Sequence, residues 1–77
     1  MSSLILYTTA GCHLCELAEE ILFTLSQQYD ITFTCVEIGD NDDLIQRYGT
    51  RIPVIAFEDH TELNWPFEAQ DILRKTK

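Results

Sequence analysis

The fold of this chain is decided by residues 4–15, which read LILYTTAGCHLC. The first four residues form a continuous apolar run, which predicts a strand buried on both faces. Residues 8–11 predict a turn, and from there the hydrophobic period becomes that of a helix, with apolar side chains at positions 14, 17, 18, 21, 22 and 25. We therefore expect a strand, a turn and an amphipathic helix whose first turn carries Cys12 and Cys15.

The next two elements follow from local signals. Residues 31–38 are rich in β-branched and aromatic side chains and predict a second strand. Because the helix between the two strands is long enough for a crossover, we expect the strands to be parallel. Residues 40–43 are helix-capping types, and they predict a short second helix that ends near Gly49.

The C-terminal third predicts two strands and a helix. Pro53 opens an apolar third strand over residues 53–57, in keeping with the preference of proline for the first position of a strand. Residues 61–63 predict a short fourth strand, and Pro66 suits the first position of a final helix. The element order βαβ-α-ββα, without a linker or repeat, predicts one α/β domain over residues 1–77.

The charge of the chain is its most unusual bulk property. Thirteen Asp and Glu stand against five Lys and Arg, which gives a net charge of −8. Nucleic-acid phosphates and anionic membrane surfaces repel such a protein, so neither is an expected partner. A protein partner with a basic face is favoured.

The cysteine count and the first residues indicate the compartment. Three cysteines in a short chain argue against the closed disulfide framework of a secreted protein. Residues 1–7 lack the basic segment and the long apolar run of a signal peptide, so we expect none, and no apolar run approaches the ~18 residues of a membrane span. We therefore expect a cytoplasmic protein, and in that compartment a cysteine pair is more often catalytic or metal-binding than structural. We also expect the protein to be a monomer.

Two cysteines three residues apart at a helix start suit thiol–disulfide exchange. The unpaired N–H groups and the positive end of the helix dipole stabilise a thiolate at Cys12. Cys15 lies one turn further on and is close enough to close a small, reducible ring. The alternatives are half of a zinc site and two incidental buried cysteines. A zinc site completed by His13 and His60 needs unfavourable geometry, so we expect no metal.

These features together resemble a known family. The element order, the cysteine pair after the first strand, and the step from Ile52 to Pro53 before the third strand resemble the glutaredoxin branch of the thioredoxin fold. The resemblance covers essentially the whole chain and is carried by residues 6–15 and 48–55. Residues 62–67 look like a small bacterial glutaredoxin-like subgroup. The resemblance implies a thioredoxin-like fold, with a four-stranded mixed sheet flanked by three helices.

The resemblance also implies residue roles. Cys12 is the nucleophile that forms a mixed disulfide with the substrate, and Cys15 resolves it. Pro53 is the family's cis-proline, which lies against the cysteines, and the backbone of Ile52 is offered to an extended substrate. The implied substrate-binding residues are Gly11, Arg51, Ile52 and Pro53.

The chain departs from the family where glutathione is held. Thr9 stands where glutathione-using members have a lysine, and residues 63–67 lack their glycine pair. Arg51 either supplies a cation near Cys12 that compensates in part for these missing glutathione contacts, or it is a solvated loop side chain. His13 replaces a proline; it either makes the pair more oxidising by favouring the reduced form or is an exposed residue with little effect. We expect no bound cofactor, and glutathione only as a co-substrate.

The resulting prediction is an enzyme, a dithiol–disulfide oxidoreductase that acts on protein or glutathione mixed disulfides. One alternative is an adaptor module that docks an extended peptide beside Ile52 and Pro53. Another is an iron–sulfur carrier in which Cys12 and glutathione ligate a cluster between two monomers. Cys35 lies in the middle of the second strand, where we expect a buried, free cysteine that behaves as a small apolar side chain.

Overall fold

The structure, a computed structural model, describes residues 2–76. Within this range the elements follow the predicted order βαβ-α-ββα, and the predicted α/β class is confirmed. They are β1 (Ser2–Thr8), α1 (His13–Gln28), β2 (Ile31–Glu37), α2 (Asp42–Tyr48), β3 (Val54–Ala56), β4 (Glu62–Asn64) and α3 (Ala69–Thr76). Of the helices in residues 2–76, none has the length and apolar character needed to cross a membrane.

The strands form one mixed sheet in the order β2-β1-β3-β4. β1 runs parallel to β2, as predicted, with Ser2 opposite Ile31 and Thr8 opposite Glu37. β3 is antiparallel to both β1 and β4. This arrangement brings the end of β1, the end of β2 and the start of β3 to the same end of the sheet.

The main core lies between one face of the sheet and the helices α1 and α3. Its side chains alternate along the strands and recur at helical spacing along the helices. The fully buried members include Leu6, Leu22, Ile55 and Ile72. Burial of each such side chain stabilises the fold by about 1.5–3 kcal/mol.

A smaller cluster covers part of the opposite face. Tyr48 of α2 stacks on Tyr7 of β1 with ring centroids 4.2 Å apart, next to Ile38 and Val54. Because α2 has only seven residues, it covers one end of this face, and Ile5 remains 37% exposed. The prediction that the first strand is buried on both faces is therefore wrong.

The predicted apolar stripe of α1 is only partly buried. The buried positions are Cys15, Ala18, Leu22 and Leu25, whereas Leu14 is 44% exposed. The helix presents the row that begins at Cys15 to the sheet, and Leu14 falls beside that row. The second cysteine thus takes a core position that the pattern had assigned to a leucine.

The last helix begins three residues later than predicted. The Trp65–Pro66 peptide bond is cis, and the Trp65 ring packs edge-on against the buried Phe67 ring at 5.0 Å. The Asp71 carboxylate accepts a hydrogen bond from the N–H of Glu68 at 2.8 Å and so satisfies a donor at the helix start. The prediction of Pro66 as the first helical residue is wrong. The chain from Trp65 to Phe67 is not helical, because the Phe67 ring packs into the core, and the helix begins only after it.

Candidate active site

Cys12 and Cys15 form a disulfide at the start of α1. Their Cα atoms lie 5.2 Å apart, within the ordinary range for a disulfide. Cys12 is the N-cap residue, and its sulfur accepts a hydrogen bond from the N–H of Cys15 at 3.1 Å. When the pair is reduced, this N–H and the helix start both favour negative charge on the Cys12 sulfur.

The two cysteines differ in exposure. Cys15 is 2% exposed, whereas Cys12 is half-buried at the surface. An incoming thiol or disulfide therefore reaches Cys12 first. His13, the first residue of α1, is exposed between the two cysteines.

Gly11 sets the position of Cys12. Its φ of +79° lies in the left-handed region, which glycine enters without strain. A Cβ atom at this position meets no atom within 4 Å, so the backbone conformation rather than space requires glycine. The N–H of Cys12 donates to the carbonyl of Thr9 at 3.3 Å and closes the turn.

Glu37, at the end of β2, holds the loop before the cysteines. Its carboxylate accepts hydrogen bonds from the Thr9 hydroxyl at 2.6 Å, the N–H of Ala10 at 3.0 Å and the N–H of Gly39 at 2.7 Å. These bonds, that of Thr9 foremost, lower the pKa of Glu37. Sequence reasoning missed Glu37. The signal that points to it is the parallel pairing of β1 with β2, which places Glu37 opposite Thr8.

The loop before β3 reaches the same end of the sheet. The Ile52–Pro53 peptide bond is cis, and Pro53 is fully buried. Val54 pairs with Tyr7, so Pro53 enters the sheet beside the end of β1, from which the cysteine loop departs. The N–H of Ile52 already donates to the carbonyl of Tyr48 at 3.0 Å. A substrate strand would therefore have to use the carbonyl of Ile52.

Arg51 is tied into the protein. Its guanidinium donates to the Glu62 carboxylate at 2.7 Å, to the Asn64 side chain at 3.0 Å and to the carbonyl of Arg47 at 3.2 Å. These contacts join the loop before β3 to β4 and limit the reach of Arg51 toward the cysteines. A role for Arg51 in substrate binding stays a prediction.

Glu62 is the centre of this network. Besides Arg51, it accepts a hydrogen bond from the Tyr48 hydroxyl at 2.6 Å. The bond from Tyr48 and then the bond from Arg51 lower the pKa of Glu62, while burial and the Glu62 carboxylate raise the pKa of Tyr48 to about 12. Sequence reasoning missed Glu62, because its partners are brought to it by strand pairing and no local pattern marks them.

Cys35 is exposed, so the prediction that it is buried is wrong. The reason is that β2 is an outer strand of the sheet, where covering by neighbours is incomplete. Its thiol donates to the Glu19 carboxylate at 3.1 Å. Partial desolvation and then this hydrogen bond raise the pKa of Cys35 to about 11. The thiol is therefore protonated near neutral pH and is a poor competitor for Cys12.

The two histidines do not meet. His60 lies in the turn between β3 and β4, and because β3 is antiparallel to β1 this turn is at the opposite end of the sheet from His13. Among residues 2–76, no group of three or more His, Cys, Asp and Glu is placed to hold a metal ion.

Comparisons with known proteins cover nearly the full chain. A model of the glutaredoxin-like domain (DUF836) matches residues 3–77. Protein XcR50 from X. campestris superposes with a TM-score of 0.81 at 37% identity, over 95% of this chain and 93% of that chain. Protein Ne2328 from Nitrosomonas europaea gives a TM-score of 0.82 at 26% identity, over 96% of this chain and 89% of that chain. No curated protein matches the chain.

A more distant likeness extends to thioredoxins. Thioredoxin O2 from Arabidopsis thaliana, in its oxidized state, gives a TM-score of 0.70 at 20% identity, over 99% of this chain and 72% of that chain. At this identity the likeness shows the fold alone, and it confirms the predicted thioredoxin-like fold. With the family model matched from residue 3 to residue 77, the chain belongs to the glutaredoxin-like domain family.

Proposed function

We propose that this protein is a dithiol–disulfide oxidoreductase in which Cys12 attacks and Cys15 resolves. The observation that carries the proposal is the disulfide at the start of α1, with Cys12 at the surface and Cys15 only 2% exposed. The hydrogen bond from the Cys15 N–H to the Cys12 sulfur supports the same assignment, since it favours charge on the outer sulfur.

The proposed reaction is a two-electron exchange. The Cys12 thiolate attacks one sulfur of the substrate disulfide, a mixed disulfide forms, and the first substrate thiolate leaves. The Cys15 thiolate then attacks the Cys12 sulfur and displaces the second substrate thiol. The substrate is reduced by two electrons and the protein is left as the disulfide seen here. Two molecules of a cellular thiol, for which we propose glutathione as the co-substrate, return the pair to the dithiol and leave joined as their own disulfide.

The residues around the pair have supporting roles in this proposal. Gly11 sets the turn before Cys12, and His13 lies beside Cys12 at the helix start, where it modulates the redox potential of the pair. Pro53 and the carbonyl of Ile52 flank the site and receive an extended substrate segment.

The proposed substrates are protein disulfides and mixed disulfides of glutathione, on a partner with a basic face. The net charge of −8 supports the basic partner. The Thr9 hydroxyl donates a hydrogen bond to Glu37, and the Arg51 guanidinium donates one to Glu62. Because both groups already have partners, these contacts support glutathione as a weakly bound co-substrate rather than a tightly held ligand. The proposal places the protein in the cytoplasm as a monomer, without nucleic-acid or membrane partners.

An equilibrium titration in glutathione redox buffers, read by intact mass, tests the proposal. We expect the mass to change by two hydrogens at a defined potential, within the range of about −270 to −120 mV found for this fold. Cys12→Ser should abolish the transition, and the matched control Cys35→Ser should preserve it. In Cys15→Ser, a disulfide substrate should accumulate as a stable adduct on Cys12.

Other outcomes separate the alternatives. If the mass does not change across the whole range of potentials, the pair is not a redox centre under these conditions and the proposal fails. An adaptor would still bind its partner when both cysteines are replaced by serine. An iron–sulfur carrier would become coloured after anaerobic reconstitution with iron, sulfide and glutathione, and Cys12→Ser would stay colourless.

A further inference from the structure

Two adjoining cavities follow the seam between α1 and the outer strand β2, and the first of them begins at the cysteine pair. A cavity of about 250 Å³ is lined by both cysteines together with Glu16, Glu19 and Glu37. A second cavity of about 300 Å³ follows on the same seam, and Glu19 lines both. We call this feature the seam groove, defined by Glu16, Glu19 and Glu37 at the disulfide end and by Glu20, Phe23 and Phe33 at the far end.

The far end of the seam groove is aromatic. Phe23 is 59% exposed, more than any other large apolar side chain in the described part of the chain. Phe33 of β2 is half-buried and packs against the main core. An exposed phenylalanine beside a half-buried one, at the end of a groove that starts at a reactive disulfide, is the kind of apolar pocket that receives an anchor side chain.

The two elements that form the seam groove carry four carboxylates, those of Glu16, Glu19, Glu20 and Glu37, and neither element contains a Lys or Arg. Residues 1–46 contain eight acidic residues and no Lys or Arg. Residues 47–77 contain five acidic residues and five Lys and Arg, so their charges cancel. The whole net charge of −8 therefore belongs to the part of the chain that includes α1 and β2. Such a groove attracts a cationic segment and repels a second copy of this chain.

We propose that the seam groove binds an extended cationic segment of the disulfide substrate, with an apolar anchor seated at Phe23 and Phe33. This inference rests on the proposed oxidoreductase function and names the substrate class of that site. The outer edge of β2 lies beside the groove, where an extended segment can also pair with backbone groups.

The helix geometry fixes the spacing of the recognised residues. At a rise of about 1.5 Å per residue, Glu19 lies about 10 Å and Phe23 about 16 Å along the axis from Cys12. An extended peptide advances about 3.3 Å per residue. Because side chains alternate along an extended segment, only those an even number of residues apart face the groove together with the target cysteine. The cationic residue is thus expected about four residues from the target cysteine, and the apolar anchor about six residues from it.

The probe is a synthetic peptide with a central cysteine, a lysine four residues away on each side and a phenylalanine six residues away on each side. Because the peptide is symmetric about its cysteine, it can place a lysine and a phenylalanine in the groove whichever way its chain runs. Its cysteine is linked to 2-nitro-5-thiobenzoate, and the reduced protein of residues 1–77 is the only reductant. The Cys12 thiolate attacks the peptide sulfur, nitrothiobenzoate leaves as the better leaving group, and Cys15 then releases the peptide thiol. The appearance of nitrothiobenzoate gives the rate.

We expect this peptide to react at least about tenfold faster than a matched glycine–serine peptide at low salt, and the advantage to shrink as salt rises. A peptide with glutamate in place of lysine should react more slowly than the neutral one. Phe23→Ser should lower the preference about tenfold and Glu19→Gln about two- to fivefold. The control variants Ile45→Ser and Glu58→Gln, exposed residues away from the groove, should keep the preference of the wild type.

Two results would overturn the inference and leave the proposed function standing. One is equal rates for the cationic and the neutral peptides while both release nitrothiobenzoate. The other is a change in oligomeric state on Phe23→Ser, measured by light scattering, because the groove would then be an interface between copies. Failure of every peptide to react would instead refute the proposed oxidoreductase function and the inference with it.

Discussion

Cys35 offers a sharp test of the site, because it is the one free thiol when Cys12 and Cys15 are joined. Its pKa is raised from 9.0 to about 11, first by desolvation and then by the hydrogen bond to Glu19. At pH 8 a two-unit rise lowers the thiolate fraction about 100-fold. A more basic thiolate is also intrinsically more nucleophilic, by about six- to tenfold for two units. The net expectation is alkylation about 10–20-fold slower than that of an ordinary cysteine.

The assay is alkylation of the oxidised protein by iodoacetamide, followed by intact mass. The reference is a synthetic peptide of residues 32–38, in which the same cysteine lacks Glu19. We expect Glu19→Gln to accelerate alkylation several-fold, since the amide accepts the hydrogen bond without adding a negative charge. Glu20→Gln is the matched control, because it removes a neighbouring exposed carboxylate.

The sign of the pH dependence follows from the raised pKa. The protonated thiol is favoured in the folded protein, so the gap in alkylation rate between protein and peptide is widest below pH 9. The gap should close near pH 10, above which the more basic Cys35 thiolate reacts faster than that of the peptide. Equal rates for protein and peptide at pH 8 would refute the reasoning. So would an effect of Glu20→Gln as large as that of Glu19→Gln.

Three further expectations concern stability. Glu62→Gln should cost about 1 kcal/mol and lower the melting temperature by about 4–8 °C at pH 7. The pKa of Glu62 is lowered in the folded protein, so its charge adds stability above the ordinary carboxyl pKa, and the difference should vanish as the pH falls through the lowered pKa. An equal loss in the exposed control Glu58→Gln would contradict this. Leu22→Ala, at a side chain with 0% exposure, should cost about 2–5 kcal/mol in urea unfolding, against under about 1 kcal/mol for Leu17→Ala at 37% exposure; similar losses would show that the assigned helix face is wrong. Gly11→Ala should cost about 1–2 kcal/mol from backbone strain alone, since there is room for the Cβ, and an unchanged urea midpoint would argue against the left-handed turn.

Much of the fold was accessible from local pattern. Residues 4–15 predicted a strand, a turn and a helix because hydrophobic periodicity and turn chemistry are properties of neighbouring residues. Asn41 caps α2 through a hydrogen bond from the N–H of Leu44 at 3.2 Å, as the run of capping residues indicated. The same local reading placed Cys12 and Cys15 at the helix start, where the structure joins them.

The errors share a different origin. Ile5 and Cys35 were expected in the interior because each lies in an apolar or β-branched run. Whether such a run is buried on both sides depends on which other elements cover each face of the sheet. The sequence of a single strand does not contain that information. The start of α3 was misplaced for a related reason, since Phe67 was needed by the core before the helix began.

By itself the sequence determined the order of the elements, the family, the cysteine pair at a helix start and a strongly acidic N-terminal half. These depend on spacing and composition, which the chain carries wherever it folds. Only the tertiary structure decided that Arg51 is bound by Glu62, that Glu37 holds the loop before Cys12, and that Phe23 and Phe33 line one cavity. Those contacts join residues far apart in the chain, and they exist because strand order and register bring them together.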